Sequence, residues 1–366
     1  MKTLSLIIPV YNEEKTLKSI VEKTLKIADS AFFKENNLAL ELVLVDDCSK
    51  DNSSLVIEEL KNEFSNIKTF KHEKNKGKGA ALKTGFLGAS GDFIGIQDAD
   101  NEYNPYDYIK LLKPLMDDRA DVSYGSRYLK KESRKVLYFW HSLMNKTLSF
   151  LTSMVTNLDI TDMETCYKLF KKEVIEKIAP NLKENRFGFE PEITAYVAKN
   201  NYRVYETAID YNPRSYEEGK KINAKDGLRA LYCIFHYGAN IAPSFLQFII
   251  FVLLCYLSLG LCNCSFFLIS NYTDNSIITI TLPFIVFMVI NYLLVSNVLF
   301  NSKIRYSKII EIILFILNLT ITSLISYGIM FLLLYILDKS IVQYFNMPLW
   351  LIVSFLINKM IIFKEK

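Results

Sequence analysis

Short, almost wholly apolar runs separated by polar, helix-forming stretches fill the first part of the chain, and four long apolar runs fill the rest. Leu4-Ser5-Leu6-Ile7-Ile8-Pro9-Val10 reads as a buried strand bounded by Pro9 and Asn12. Glu13 and Glu14 then open a helical stretch to about Ile27, since acidic residues favour a helix N-terminus. A second strand, Glu41 to Val45, ends in Asp46-Asp47-Cys48-Ser49. The turn Asn75-Lys76-Gly77-Lys78-Gly79-Ala80-Ala81 is basic, flexible and leads into a helix. Phe93-Ile94-Gly95-Ile96 is a further buried strand and runs into Asp98-Ala99-Asp100. Strands alternating with helices predict an α/β domain with a mostly parallel, doubly wound sheet.

The four long runs are about 241–262, 277–300, 309–337 and 341–363. Each reaches the roughly 20 residues that span a bilayer, and none carries the polar face of a soluble bundle helix. Two domains are therefore expected: a soluble one over 1–240 and an all-α, four-span membrane domain over 241–366. Four spans place both ends on one side, and positive charge marks that side as cytoplasmic. Lys303, Arg305 and Lys308 follow the second run, and Lys359, Lys364 and Lys366 lie in the tail. The connection 263–276 has no Lys or Arg, and the third connection has only Lys339. The chain opens on a strand rather than a signal peptide, which is expected to keep the first domain in the cytoplasm. Val136 to Leu158 reads as an amphipathic helix at the membrane interface, with Trp140 at headgroup level.

Charge and cysteine usage narrow the classes. The net charge of +4 leaves +3 in residues 241–366 and only +1 in residues 1–240, without the basic stripe of a nucleic-acid binder. The six cysteines show no metal-ligand spacing. Asp98 and Asp100, by contrast, are two carboxylates with one small residue between them at the end of a buried strand. That is where open α/β sheets bind ligands, and the hard oxygens suit Mg²⁺ or Mn²⁺ held together with substrate phosphates.

Six motifs occur in order: Pro9-Val10-Tyr11-Asn12-Glu13, Val45-Asp46-Asp47-Cys48-Ser49, Asn75-Lys76-Gly77-Lys78-Gly79, Asp98-Ala99-Asp100, Tyr124-Gly125-Ser126-Arg127-Tyr128 and Arg214-Ser215-Tyr216-Glu217-Glu218-Gly219-Lys220-Lys221. Together they resemble family 2 glycosyltransferases of the dolichyl- or polyprenyl-phosphate hexosyltransferase type, over roughly residues 1–240. The membrane part resembles the four-helix GtrA-like domain, and Tyr292 to Phe300 is echoed by Phe355 to Phe363. The resemblance implies a GT-A type fold and inverting, metal-dependent transfer of a hexose from a GDP-mannose or UDP-glucose type donor to a lipid phosphate. It implies a nucleotide pocket of Pro9, Tyr11, Asn12 and Glu13, with Asp46 and Asp47 accepting hydrogen bonds from base or ribose. One of that pair is alternatively a helix cap before Asn52. Lys76 and Lys78 either contact phosphate or form an exposed basic turn. Asp98, Asp100 and Glu102 are the implied metal ligands, Glu102 being alternatively a solvated turn carboxylate. Arg127, with Arg134, Lys135 and His141, is implied on the acceptor phosphate, and Arg214, Lys220 and Lys221 in a loop closing over the diphosphate. Asp162, Glu190 and Glu192 are implied near the sugar hydroxyls. Membrane lipid is an expected partner, and the membrane domain allows a homo-oligomer.

Rival classes lack their marks. A dinucleotide-binding domain needs Gly-x-Gly-x-x-Gly after the first strand, whereas Gly77 and Gly79 follow the third and Leu82 stands at the third glycine position. A P-loop signature is absent. A processive polysaccharide synthase would carry Gln-x-x-Arg-Trp, yet neither Trp140 nor Trp350 follows an arginine. A lipid-sugar translocator with a binding-only soluble domain is the remaining alternative, against which Asp98, Asp100 and Arg127 all stand intact.

Overall fold

In the computed structural model, which describes residues 1–129, 135–213, 224–273, 275–300, 306–333 and 346–363, the apolar runs of the first part become strands of one sheet. They are β1 (Lys2–Val10), β2 (Leu38–Asp46), β3 (Ile67–Lys71), β4 (Phe93–Ile96), β5 (Val122–Ser126), β6 (Lys168–Lys171) and β7 (Val204–Ala208). The seven strands lie in the order β3-β2-β1-β4-β6-β5-β7. All pairs are parallel except those made by β6, which runs antiparallel to both β4 and β5. The mostly parallel sheet expected from the strand–helix alternation is therefore present.

Burial explains why these runs carry no polar alternation. Leu4, Leu6, Ile7 and Ile8 of β1 are wholly buried, as in any parallel sheet covered on both faces. The register pairs Ile7 with both Val43 and Ile96, so β2 and β4 flank β1 and the carboxyl ends of all three come out together. Helices pack on the faces: α1 (Leu17–Leu25), α2 (Ala31–Glu35), α3 (Ser53–Glu63), α4 (Lys78–Gly88), α5 (Tyr108–Met116), α6 (Phe139–Thr156), α7 (Lys172–Ile178) and α8 (Phe189–Lys199). The first helix starts at Leu17 rather than at Glu13. Asn12 takes a left-handed φ of 53°, and the Glu13 N–H donates to Ser53 Oγ at 2.8 Å. The bond to Ser53 holds residues 12–16 as a turn against the start of α3, overriding the local preference for helix.

The chain divides into two compact units, Met1–Ile234 and Phe235–Lys366, so the division falls inside α9 (Ala224–Gly238), ahead of residue 240. The second unit holds α10 (Ser244–Ser270), α11 (Ser276–Leu294), α12 (Lys308–Leu333) and α13 (Asn346–Ile357). Three helices, Ser244–Ser270, Ile277–Leu299 and Lys308–Leu333, are long and apolar enough to cross a membrane. The fourth expected span is described only from residue 346, as the shorter apolar helix Met347–Ile362.

The echo between Tyr292–Phe300 and Phe355–Phe363 is structural. Both segments end in one π-helical turn, Val295–Leu299 and Asn358–Ile362. The closing bonds match, Phe300 N to Val295 O at 3.0 Å and Phe363 N to Asn358 O at 2.9 Å. The two phenylalanine rings then stack on each other, 5.0 Å apart and 8° from parallel. The shift of 63 residues that carries Phe300 to Phe363 also carries Cys255 to Asn318 and Asn291 to Ser354. Asn291 Nδ2 donates to Cys255 Sγ at 3.5 Å, and Asn318 Nδ2 to Ser354 Oγ at 3.2 Å. The same pair of positions is bonded in both halves, with the amide on the opposite helix.

Gly85 marks how tightly α4 lies on the sheet: a Cβ there would stand 2.1 Å from Ile7 Cγ2. Gly85→Ala is expected to cost about 1–3 kcal/mol by overpacking and to lower the thermal midpoint of the detergent-purified chain. Gly227→Ala, on α9 with nothing within 4 Å, should leave it unchanged or raise it slightly through helix propensity.

Candidate functional site

The carboxyl ends of β1, β2 and β4 meet above the sheet, and β5 delivers Arg127 to the same side. Between them lies a cavity of about 420 Å³. Its wall includes Pro9, Tyr11, Glu13, Asp47, Lys78, Asp98, Asp100, Glu102 and Arg127. The structure thus brings together most of the residues singled out in the sequence. Asn12, Asp46 and His141 are not on this wall. Arg134, Arg214, Lys220 and Lys221 lie outside the described residues.

Asp46 and Asp47 organise the loops around the cavity. Asp46 accepts from the Ser49 N–H at 2.8 Å and from Ser54 Oγ at 2.5 Å. Burial opposes its charge, yet the bonds from Ser54 and Ser49 hold the carboxyl below the usual aspartate range. These bonds brace the turn before α3, whose N-cap residue is Asn52. Asp47 receives the N–H groups of Lys76 at 2.9 Å and Gly77 at 2.7 Å, with His72 Nδ1 at 2.7 Å. One carboxylate so orders the whole basic turn. Asn12 adds a tie between the β1 and β2 ends, accepting from the Lys50 N–H at 2.7 Å.

The turn needs its glycines for a reason the sequence does not display. Gly77 has φ +100°, and a Cβ there would lie 2.4 Å from Asn185 O; one on Gly79 would lie 2.3 Å from Glu184 O. The backbone of 184–186 passes directly over them, and Ala80 N–H donates to Asn185 O at 3.1 Å. That close approach brings Arg186 and Phe187 onto the cavity wall.

Lys78 opens α4 and points inward, whereas Lys76 is exposed. Its Nζ lies 2.8 Å from Asp98 Oδ1 and 3.8 Å from Glu190 Oε1, and 2.9 Å from Cys166 Sγ. Burial disfavours the ammonium, but Asp98, Cys166 and Glu190 outweigh it and hold Lys78 charged well above the ordinary lysine range. Burial and Asp98 raise the Cys166 thiol despite Lys78, so it is no nucleophile near neutrality.

Arg127 is engaged already. Its Nε and Nη2 donate to Asp162 Oδ2 and Oδ1, both at 2.7 Å, and its main-chain N–H to Oδ2 at 2.9 Å. Glu102 Oε2 accepts from Tyr211 Oη at 3.0 Å. A second cavity of about 450 Å³ adjoins the first, lined by Lys23, Lys135, Leu137 and Asn212 among others. Glu102, Tyr103, Arg127 and Tyr211 line both, forming a common wall. His141 lies on α6 near Tyr138.

Glu164 and Cys166 are wall residues to which the sequence reading gave no role. Both lie in the turn that leads into β6 (Lys168–Lys171), where no strand alternation marks which side chains face the cavity. Burial, then the charge of Glu190, push the Glu164 carboxyl up to about 8. The folded chain therefore holds a proton that the unfolded chain releases. This contribution to stability is present at low pH and is lost as pH rises between the ordinary 4.5 and about 8. The thermal midpoint should fall across that window, and Glu164→Gln should flatten the fall.

Residues 5–179 match the model described as Glycosyl transferase family 2. A dolichyl-phosphate beta-glucosyltransferase of Trichomonas vaginalis is 30% identical over 214 residues, covering 57% of this chain and 65% of that one. The human dolichyl-phosphate beta-glucosyltransferase is 29% identical over 206 residues, covering 54% of this chain and 63% of its own. This chain thus spans just under two thirds of these glucosyltransferases. A UDP-N-acetylglucosamine–dolichyl-phosphate N-acetylglucosaminyltransferase of Methanococcus voltae is 27% identical over 248 residues, covering 63% of this chain and 94% of that one. Among solved structures, glucosyl-3-phosphoglycerate synthase of Mycobacterium tuberculosis with Mn²⁺, uridine diphosphate and glucosyl-3-phosphoglycerate is similar at a TM-score of 0.48 and 14% identity, covering 65% of this chain and 80% of that one.

Proposed function

We propose that this chain, which carries a family 2 glycosyltransferase domain, transfers one hexose from a nucleotide sugar to dolichyl or polyprenyl phosphate at the cytoplasmic face of a membrane. The observation that carries the reading is the shared wall. One cavity holds the strand-end carboxylates and Lys78, the adjoining one holds Lys23 and Lys135, and Arg127 faces both. A donor diphosphate in the first and an acceptor phosphate in the second would meet across it. The curated relatives named for dolichyl-phosphate transfer support the acceptor class.

Asp98 and Asp100 offer two hard oxygen donors on one turn, and among the described residues no group of three or more His, Cys, Asp or Glu is arranged around one point. Two carboxylates fit an ion that completes its shell with diphosphate oxygens and water. Such an ion, Mg²⁺ or Mn²⁺, would neutralise charge developing on the leaving diphosphate. Lys78 adds a fixed positive charge beside Asp98.

The nucleophile needs little help. A phosphate monoester has a second pKa of about 6 and is mostly dianionic near neutrality. Its oxygen attacks the anomeric carbon as the bond to the nucleoside diphosphate breaks on the opposite face, which inverts the configuration. No imidazole is required: His72 is engaged by Asp47 and Thr84, and His141 is off the cavity. Arg127, fixed by Asp162, presents the edge of its guanidinium that Asp162 does not use. The exposed apolar side chains of Val136, Tyr138, Phe139 and Trp140, which is 76% exposed, would dock the soluble unit on lipid. The Lys and Arg bias of the loops supports the cytoplasmic side.

The test is transfer of radiolabelled hexose from UDP-glucose or GDP-mannose to short-chain polyprenyl phosphate by the purified chain in detergent. Asp100→Asn should slow it by at least about 100-fold, equivalent to about 2.7 kcal/mol, and EDTA should stop it until Mg²⁺ or Mn²⁺ is restored. Undiminished transfer in EDTA would sink the metal assignment. Arg127→Ala should raise the acceptor KM far more than the donor KM. Arg127→Lys should not rescue it, because an ammonium cannot hold Asp162 by a planar fork and phosphate at once.

A further inference from the structure

Three cations stand on the wall of the strand-end cavity: Lys78, Arg127 and Arg186. Two of them are matched by carboxylates of the protein itself. Lys78 lies 2.8 Å from Asp98 and 3.8 Å from Glu190, and Arg127 donates to both oxygens of Asp162. Arg186 differs. Its side chain is exposed, and its guanidinium makes no ion pair or hydrogen bond among the described residues.

The root of that side chain is nevertheless held firmly. Glu192, wholly buried, accepts the N–H groups of Lys183 and Glu184, both at 2.8 Å, and so braces the segment that leads to Arg186. Asn185 O receives the Ala80 N–H at 3.1 Å, and Arg186 O receives the Phe189 N–H at 3.3 Å. The Arg186 stem rests on the glycine turn, since a Cβ on Gly77 would stand 2.7 Å from Arg186 Cγ. A fixed root and an uncommitted head place one cation at the cavity, beside the first turn of α4.

The charges around it say what it would meet. A guanidinium has five N–H donors and no acceptor, and it stays protonated, so its complement is an anion rich in oxygens. The rest of the wall is acidic, with Glu13, Asp47, Asp100 and Glu102. An anionic ligand entering there needs positive charge that the fold has not already neutralised, and Lys78 is neutralised by its two carboxylates. Arg186 is also absent from the wall of the adjoining cavity, which separates its ligand from the acceptor phosphate assigned to Arg127.

We propose that Arg186 binds the diphosphate of the nucleotide-sugar donor through the planar fork of its guanidinium. The inference rests on the reading of the strand-end cavity as the donor site. As the anomeric C–O bond breaks, its electron pair passes to the diphosphate oxygen while the acceptor phosphate oxygen forms the new bond. Arg186 then stabilises the charge that the leaving diphosphate gains.

The test is calorimetric titration of the full chain in detergent with uridine diphosphate and guanosine diphosphate, each against its parent nucleoside, alongside transfer kinetics. Arg186→Ala should weaken the diphosphate that the wild type binds by about 10- to 100-fold, and lower donor kcat/KM at least as far, while nucleoside affinity and acceptor KM stay within about 2-fold. The retained nucleoside affinity reports a folded pocket. Arg186→Lys keeps the charge without the fork and should recover only part of the loss. Lys183→Ala removes the same charge from an exposed side chain on neither cavity wall, and screening should keep diphosphate affinity within about 2-fold. The inference would fail, with the transferase reading left standing, if Arg186→Ala left diphosphate affinity unchanged, weakened the nucleoside equally or moved the acceptor KM instead. It would fail equally if Lys183→Ala matched Arg186→Ala. A wild type that bound neither diphosphate would overturn both.

Discussion

A lysine ammonium taken out of water must be surrounded by charge of the opposite sign, and Lys78 meets that demand at the first turn of α4. Asp98 at the end of β4 and Glu190 on α8 converge on it. Removing either partner of a buried pair leaves an uncompensated charge, at a cost of about 3–5 kcal/mol, so three elements are fixed to one another through one side chain. What holds Lys78 there is built from further back. Asp47 gathers the N–H groups of Lys76 and Gly77, and Gly77 and Gly79 let the 184–186 backbone close over the turn. The aspartate after β2 thus acts on the aspartate after β4 through a loop and a cation.

The carboxyl-end geometry was legible because it follows from topology alone. Short apolar runs alternating with polar helical stretches read as parallel strands buried on both faces, and Phe93 to Ile96 forms β4 with the bounds read from the sequence. Once β1, β2 and β4 are parallel neighbours, the residues that follow each of them must share one edge. Asp98 and Asp100 were therefore locatable without knowing any contact they make. The amphipathic stretch around Trp140 was legible for a similar reason, because the sequence of an isolated helix shows which face has no partner.

Hydrogen-bond assignment was not legible. Asp46 and Asp47 read as two equivalent acidic residues, but one accepts from its own turn and the other from a loop nearly thirty residues on. Arg127 read as a free fork; its partner Asp162 is 35 residues away and becomes adjacent only when β5 and β6 pair. The left-handed Asn12 and the tie from Glu13 to Ser53 turned an expected helix start into a loop. In each case the local chemistry allowed several partners, and the sheet decided among them.

The two bonded pairs in the membrane unit, Asn291 with Cys255 and Asn318 with Ser354, have a further consequence in the direction normal to the bilayer. Cys255 lies 11 residues into the helix that begins at Ser244, and Asn318 lies 10 residues into the one that begins at Lys308. At about 1.5 Å per residue, they sit roughly 15–17 Å from their helix starts, about half the ~30 Å thickness of the hydrocarbon core. Both polar ties therefore fall at the depth where water is scarcest and an amide has the fewest alternatives. Each two-helix half therefore has a polar tie along its length, and the stacked rings of Phe300 and Phe363 join the two halves at their ends.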